Sequence, residues 1–412
     1  MGRSILVLGA GMVGTATALQ LQSRGWDVTL VDRRGPGQET SHGNAGVIQR
    51  EAVEPYAFPR DPKFLLRTLL GVGAEVNWHA KGLWQMAGPL MRYFRNSHPA
   101  VYAGVTKAYS QLIAGAIDGH ATWIEAAGAQ DLVERKGFRF VYRTRQAFDL
   151  ALTRAQSLEQ RLGIRHAAQD GQQLSALEPA LQRTMAGALH WLDPWSVRDP
   201  GGLVQRYARL FEQRGGRIQY GDAHSLAQAG KGWTVRTGDG PLQARQAVVA
   251  LGPWSDGLLG QLGYRYPLFI KRGYHQHYQA PQMLQQPLLD AERGYVLAPM
   301  SQGLRLTTGA EFAPLNAAPT PVQLEKARVS AREIIQLGEA MNAAPWLGAR
   351  PCTADMLPVV GAAPRHKGLW FNFGHGHQGF TLGPVTGGLL AEMIGGQPTA
   401  IDPTPYLPNR FD

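Results

Sequence analysis

The sequence predicts an α/β protein in which a Rossmann-like nucleotide-binding domain is joined to a second, mixed-sheet α+β domain carrying a helical insertion. Three observations predict it. A strand, a glycine turn, a helix, a second strand and a terminal acid follow one another in residues 4–32; a second glycine-rich strand-to-helix turn lies near residue 375; and strand patterns fill much of the chain between them. In the first unit the apolar run Ser4-Ile5-Leu6-Val7-Leu8 enters Gly9-Ala10-Gly11-Met12-Val13-Gly14. Gly9 suits the tight turn, Gly11 lets backbone approach a pyrophosphate, and Gly14 lets the helix pack close to the strand. The helix start offers N–H groups to an anion. Asp32 stands 21 residues beyond Gly11, after Val28-Thr29-Leu30-Val31, where a carboxylate can accept both hydroxyls of an adenosine ribose.

At 412 residues the chain exceeds the roughly 250–300 at which a single core stops growing, so two intimately connected domains are expected. Apolar residues make up 44% and charged residues 17%, which describes a globular chain with much buried surface. The single cysteine, Cys352, excludes an internal disulfide and a cysteine-only zinc site. No segment reaches the ~18 consecutive apolar residues of a membrane span, and the apolar run at residues 5–8 is too short for a signal peptide, so the mature chain is expected to begin as written, in the cytoplasm. The net charge of +10 is scattered in short pairs such as Arg33-Arg34 and Lys271-Arg272. A solvated basic surface accounts for it; contact with an anionic membrane or with RNA is the alternative.

The elements follow in order. After strand 4–8, a helix over about 12–24 and strand 27–31, residues 63–128 read as helical: apolar positions recur at three- and four-residue spacing, punctuated by Gly71, Gly73 and Pro89. Within this insertion the apolar-basic stretch Lys63 to Leu70 reads as a buried helix, with a membrane-resting helix as the alternative. Strands are expected at 138–142 and 188–191. Asp199-Pro200 signals a helix start, Gly215-Gly216 its end, and strands follow at 217–220, 233–237 and 246–250. The last is almost wholly apolar, as a parallel strand buried on both faces should be, and it stops at Leu251-Gly252-Pro253-Trp254, where a ligand can approach the carboxyl end of the sheet. Strand patterns at 294–299 and 304–308 indicate the second sheet, and 321–340 reads as helix. Leu369-Trp370-Phe371-Asn372-Phe373 then leads through Gly374-His375-Gly376-His377-Gln378-Gly379 into a helix over 381–394.

A glycine-rich turn at each end of the chain suits FAD better than a nicotinamide nucleotide. Adenosine and pyrophosphate would occupy the first turn, and N–H groups of residues 378–381 would face the N1–C2=O edge of the isoalloxazine ring, where negative charge appears on reduction. Over nearly its whole length the chain resembles the D-amino-acid oxidase superfamily of FAD-dependent oxidoreductases, and within it most closely the small-subunit type of D-amino-acid dehydrogenase. The resemblance is carried by Gly9 to Gly14, Asp32-Arg33, Glu39 to Gly46, Trp84-Gln85-Met86, Ala250 to Ser255, Thr308 to Glu311, Gly348-Ala349-Arg350-Pro351 with Asp355, Pro358 and Gly361, and Gly374-His375-Gly376. It implies a glutathione-reductase-type FAD domain, expected at 1–55, 195–258 and 346–412, with the substrate domain at 56–194 and 259–345.

The resemblance implies cofactor contacts at Gly9, Gly11, Met12, Val13, Gly14, Asp32, Arg33 and Arg34; at Thr40, Ser41, Asn44, Ala45, Gly46 and Val47; at Ala223, where the family usually has valine; at Leu251, Gly252 and Trp254; and at Gly376, Gln378, Gly379, Phe380 and Thr381. Arg350 matches the arginine of the Gly-x-Arg-Pro motif that grips the substrate carboxylate, a group a guanidinium fork binds bidentately. Tyr295 and His377 match positions lining the substrate pocket, Tyr274 and Lys271 more weakly, whereas His42 and His275 read as packing or surface residues.

The expected reaction is hydride transfer from the Cα of an amino acid to flavin N5, followed by hydrolysis of the imine, with no obligate catalytic base. No metal site, Ser/His/Asp arrangement or phosphate-transfer motif is apparent. Cys352 is displaced from the position at which some amine oxidases attach flavin, so non-covalent FAD is expected. His377-Gln378 departs from the dehydrogenases' usual pair, which leaves D-amino acids, D-proline-like or hydroxyproline-like secondary amines, glycine and sarcosine as substrates. Oxygen and a membrane quinone both remain as acceptor. An RNA-modifying amine oxidoreductase and a non-catalytic flavin subunit are the rival classes.

Overall fold

A computed structural model describes residues 3–70 and 76–412. Gly71 and Gly73, read above as helix punctuation, lie outside the described residues. The apolar strand Ser4–Leu8 forms the middle of an eight-stranded sheet. Gln246–Val249 and then Leu369–Phe373 lie parallel on one side of it; Asp27–Asp32 and Arg217–Ala229 lie parallel on the other. Antiparallel strands close both edges, Gly232–Thr237 with Gly240–Ala244 at one and Val359–Ala362 at the other. Val248 and Val249 are fully buried, as the apolar run requires of a parallel strand.

The two glycine turns meet because their helices pack together. Met12–Gln22 lies against Gly379–Gly395, and Pro200–Gln213, capped by the Asp199 side chain on Gly202 N–H at 2.9 Å, lies against the first of them. The contact is close: a Cβ on Gly387 would stand 2.9 Å from the Thr17 backbone nitrogen.

The second sheet has ten strands among the described residues. Val76–Trp78, Ala310–Phe312, Leu268–Tyr278, Gly303–Thr307, Tyr295–Met300, Leu288–Asp290, Phe138–Tyr142, Gly187–Trp191 and His166–Asp170 follow in spatial order, and Trp346–Thr353 pairs antiparallel with Leu268–Tyr278. One face packs on the helix Val322–Arg332 through Tyr295, Leu297, Leu304 and Leu306. The opposite face, with Phe138, Phe140, Leu289, Val296 and Thr307, looks toward the first domain.

Several expectations are corrected. Trp346–Thr353, grouped above with the nucleotide domain, is a strand of the second sheet. The helix expected over 321–340 ends at Arg332, because the backbone beyond it is taken by tertiary hydrogen bonds: Gln182 N–H donates to Ile334 O at 2.9 Å and Gly338 N–H to Gln279 O at 2.8 Å. The insertion contains helices Pro62–Leu69, Ala80–Gln85, Ala87–Asn96, Pro99–Ala114 and Ala116–Ala126, but also the edge strand Val76–Trp78, and Pro89 sits in a helix's first turn rather than breaking it. The helix Pro62–Leu69 is not buried: none of its residues is, and Leu66, Leu69 and Leu70 are exposed. Among the described residues no helix is long and apolar enough to cross a membrane.

The Gly387 contact yields a test. Gly387→Val should cost about 1–3 kcal/mol of stability by overpacking, read as a lower urea midpoint, whereas Gly104→Ala, in a helix where a Cβ meets nothing within 4 Å, should be neutral or slightly stabilising.

Candidate active site

Between the sheets runs one continuous cavity of about 1020 Å³, at the upper limit for a single small-molecule pocket and large enough for a dinucleotide with a substrate beside it. Its first end is built by the opening unit. Gly9, at φ +108°, turns the chain under the helix start; Met12 N–H donates to Ser41 Oγ at 3.0 Å, and Met12 and Val13 form the wall. Asp32 closes the second strand, its carboxylate accepting from Ala10 N–H at 2.6 Å and Arg34 N–H at 3.0 Å. Burial raises its pKa above the ordinary carboxylate value against the lowering effect of those N–H groups. Beside it the Arg33 guanidinium lies 4.3 Å from the Trp254 ring centroid, and Ala223, Leu251 and Gly252 complete this end.

The middle is formed by Thr40, Ser41, Asn44, Ala45 and Val47 on one side and by Gly376, Gly379 and Phe380 on the other. The second glycine loop is tied to the strand carrying Arg350: Gly376 N–H donates to Pro351 O at 2.7 Å, and Cys352 and His375 form a β-bridge. Helices leave their first N–H groups without intrahelical partners, so the start of Gly379–Gly395 presents donors to the cavity. Asn372 also lines it, with its buried Oδ1 lacking any partner among the described residues. Glycine turn, terminal acid, helix start and orphaned acceptor together fit FAD.

The far end holds Arg350, His377, Tyr56 and Lys271. The Arg350 guanidinium donates to Gly309 O at 2.7 Å and Thr308 O at 3.1 Å, and it lies over Gly273, where a Cβ would stand 2.5 Å from Nη2. Burial lowers its pKa, and it has no carboxylate partner among the described residues. His377 meets Tyr56 edge-on at 4.7 Å; burial, together with the positive charges of Arg350 and Lys271, pushes its pKa down to about 3. His375, bonded through Nε2 to Thr386 Oγ1 at 3.0 Å, is pushed to about 3 by burial. His120 bridges Tyr207 Oη (3.0 Å) and Phe380 O (2.9 Å), and burial takes it to about 4.

Six expected site residues stand off the cavity wall. Tyr295 faces the second core, its hydroxyl 3.4 Å from Arg143 Nη2, because strand alternation gives the cavity to Val296 instead. The Arg34 side chain is exposed and pairs with Glu39 at 3.3 Å. Gly14 and Gly46 serve packing and the backbone path. Gln378 turns to Gln49, which in turn bonds Glu51, and Thr381 Oγ1 accepts from Gln49 N–H at 3.3 Å. Cys352 keeps its thiol on Arg350 O at 3.7 Å, off the cavity wall. His42 and His275 are packing residues: His275 stacks on Trp346 at 4.9 Å, and His42 approaches the same ring. Tyr56 belongs to no sequence motif and was missed. Trp346 was also missed, its only signal being its place two residues before Gly348.

A family model of FAD-dependent oxidoreductases matches residues 4–393. The chain belongs to that family. It is 31% identical to a D-amino acid dehydrogenase of Paramagnetospirillum magneticum over 96% of each chain, and 29% identical to a D-amino-acid oxidase of Bradyrhizobium diazoefficiens over 100% of this chain and 99% of that one. The fold is that of a glycine oxidase from Geobacillus kaustophilus, with TM-score 0.75, 20% identity and 98% of each chain covered. FAD is therefore the cofactor of this family member, and the cavity is where its residues converge.

The depressed imidazoles generate a pH prediction. Their folded pKa values of about 3 to 4 lie below the unfolded value near 6.5, so between these limits the unfolded chain binds more protons and stability falls as pH falls, by about 1.4 kcal/mol per unit for each proton. Glu51, pushed up to about 7 by burial, acts oppositely between its ordinary 4.5 and 7. His275 and His277, pushed by burial to about 2 and about 4, act in the same sense as these three, and the lowered imidazoles outweigh the carboxyls raised by burial, so the urea midpoint should drop between pH 6.5 and 5, and His375→Gln should flatten that drop.

Proposed function

We propose that this chain oxidatively deaminates a small amino acid, in the first instance a D-amino acid and in the second a cyclic secondary amine such as D-proline or hydroxyproline. The observation that carries the reading is Arg350: a guanidinium in the cavity wall, braced by two carbonyls, with no carboxylate of the protein to neutralise it. Such a group calls for an anion from outside, and an amino-acid carboxylate matches its planar fork. The names of the curated relatives point the same way.

Non-covalently bound FAD would be held by Gly11, Ser41, Asp32 and the first turn of Gly379–Gly395, and would supply the acceptor for the hydride lost from Cα as the amine becomes an imine; water then gives a keto acid and ammonia from a primary amine, or opens a cyclic imine to an amino keto acid with no ammonia released. The chain's own residues orient and desolvate. Thr308 and Gly309 fix the plane of the Arg350 fork; Tyr56, Phe138, Phe140 and Val296 give the reacting carbon an apolar wall. The positive field of Arg350 and Lys271 disfavours a protonated amine, so the substrate is held with the nitrogen lone pair free. His377 stays neutral in this field, with one ring N–H and one free acceptor nitrogen, and adds no third positive charge.

For the electron acceptor we propose a site at an anionic lipid surface. Leu66, Leu70, Trp84 and Met91 are exposed on the insertion beside the cavity-lining Phe64, Leu65 and Leu83. Lys63, Arg67, Lys81 and Arg92 belong to the same three helices and have no ion pair among the described residues.

Two measurements test these readings. In an anaerobic titration of the holoprotein, one class of amino acid should bleach the flavin absorption, and Arg350→Met should lower kcat/KM for it by about 2–5 kcal/mol, about 30-fold or more; a flavin that no amino acid reduces overturns the proposal. In vesicle sedimentation, the protein should bind phosphatidylglycerol-containing vesicles at low salt, and Leu66→Ser with Trp84→Ser should weaken binding about tenfold or more.

A further inference from the structure

Lys271 stands directly opposite Arg350 in the antiparallel pair of strands, and both line the cavity. Residues so paired project to the same face with Cβ atoms about 5 Å apart, a costly arrangement for two cations. Their side chains resolve it by diverging. Arg350 runs toward Gly273 and the carbonyls of Thr308 and Gly309. Lys271 runs the other way, its Nζ 3.1 Å from Tyr93 Oη, 4.6 Å from the centroid of that ring and 5.4 Å from that of Phe269.

Three buried guanidinium groups of this domain are matched by carboxylates: Arg139 holds Glu178, Arg143 holds Asp290, and Arg272, the residue between Lys271 and Gly273, holds Glu311, while Arg305, off the cavity wall, is held by His277 Nε2 and the carbonyls of His42 and Asn44. Neither Lys271 nor Arg350 has such a partner among the described residues. The carboxylates on the cavity wall, Asp32, Glu39 and Asp222, all belong to the nucleotide end. One cation suffices for an α-carboxylate. The second keeps two ammonium N–H groups unassigned, in an aromatic setting of Tyr93, Phe269 and Phe312.

Resting on the reading of Arg350 given above, we propose that Lys271 binds a second carboxylate of the substrate, so that the amino acid oxidised here is a dicarboxylate held at both ends. The second carboxylate has two chemical sources, the side chain of an acidic amino acid or a carboxyalkyl arm on the amine nitrogen. A span between two diverging cations selects by length as well as by charge, and it sets which face of Cα is offered for oxidation.

The test uses unreactive ligands on the FAD-loaded protein, by isothermal titration calorimetry. Malonate, succinate and glutarate are compared with acetate, propionate and butyrate in the wild type, Lys271→Met and Lys271→Arg. At least one dicarboxylate should bind tenfold or more tighter than its monocarboxylate counterpart, and this ratio should fall to within about twofold in Lys271→Met and recover in part in Lys271→Arg. Equal affinity for both series in the wild type, or a ratio that Lys271→Met leaves unchanged, overturns the assignment of Lys271 while leaving the Arg350 reading intact. Binding of neither series overturns both. Turnover of D-aspartate or D-glutamate over D-alanine would then assign the second carboxylate to the side chain, and turnover of iminodiacetate or N-carboxymethyl-D-alanine to the nitrogen.

Discussion

The antiparallel register of Leu268–Tyr278 with Trp346–Thr353 is the constraint on which the site depends. It sets Arg350 opposite Lys271 and leaves Gly273 as the bare floor across which the guanidinium can lie. The same strand continues into the β-bridge with His375 and the hydrogen bond from Gly376, so the loop that starts the long C-terminal helix is positioned by it as well. A slip by one residue would turn Arg350 to the opposite face of the sheet, where the buried carboxylate of Glu311 is already held by Arg272.

The cavity is electrically polarised along its length. Asp32, Glu39 and Asp222 mark the nucleotide end, where hydroxyls and N–H groups are the groups to be bound; the two unpaired cations mark the other. At the cationic end His377 is held neutral by burial and by the charges of Arg350 and Lys271, and the neighbouring His375 by burial. A carboxylate entering the cavity is therefore drawn to the cationic end and finds no competing acid there.

Much of this was legible in the sequence, and the failures have physical causes. The opening unit, the buried strand Gln246–Val249 and the Asp199-Pro200 helix start announce themselves through local chemistry: glycine conformation, apolar runs, capping. Arg350 could be singled out through the resemblance of its motif. Tyr295 could not be placed correctly, because which of two adjacent strand residues faces a ligand is decided by what packs on the other side, here the helix Val322–Arg332. The same holds for Gln378, whose amide bonds Gln49 across 329 residues of chain. Helix Arg145–Leu162 is marked locally as well, capped by Thr144 and ended by Gly163 at φ +65°, but few of its residues are buried, so its apolar periodicity is weak. The end of the helix at Arg332 was not local at all, since Ile334, Ile335 and Leu337 continue an apolar spacing that the second core, rather than a helix, absorbs.

The sheet order also has a consequence in time. Once made, Ser4–Leu8 can soon pair with Asp27–Asp32, but its other neighbour, Gln246–Val249, lies well over two hundred residues downstream, and Leu369–Phe373 comes later still. At the ~5–20 residues per second of translation, an apolar strand edge waits roughly 10–50 s for its partner. During that interval the nucleotide turn is present but cannot be complete, because the helix that packs against it is made later than either strand neighbour. Cofactor capture is thereby deferred until that helix has been made, and the nascent chain must be shielded along the open strand edge while it waits for its partner.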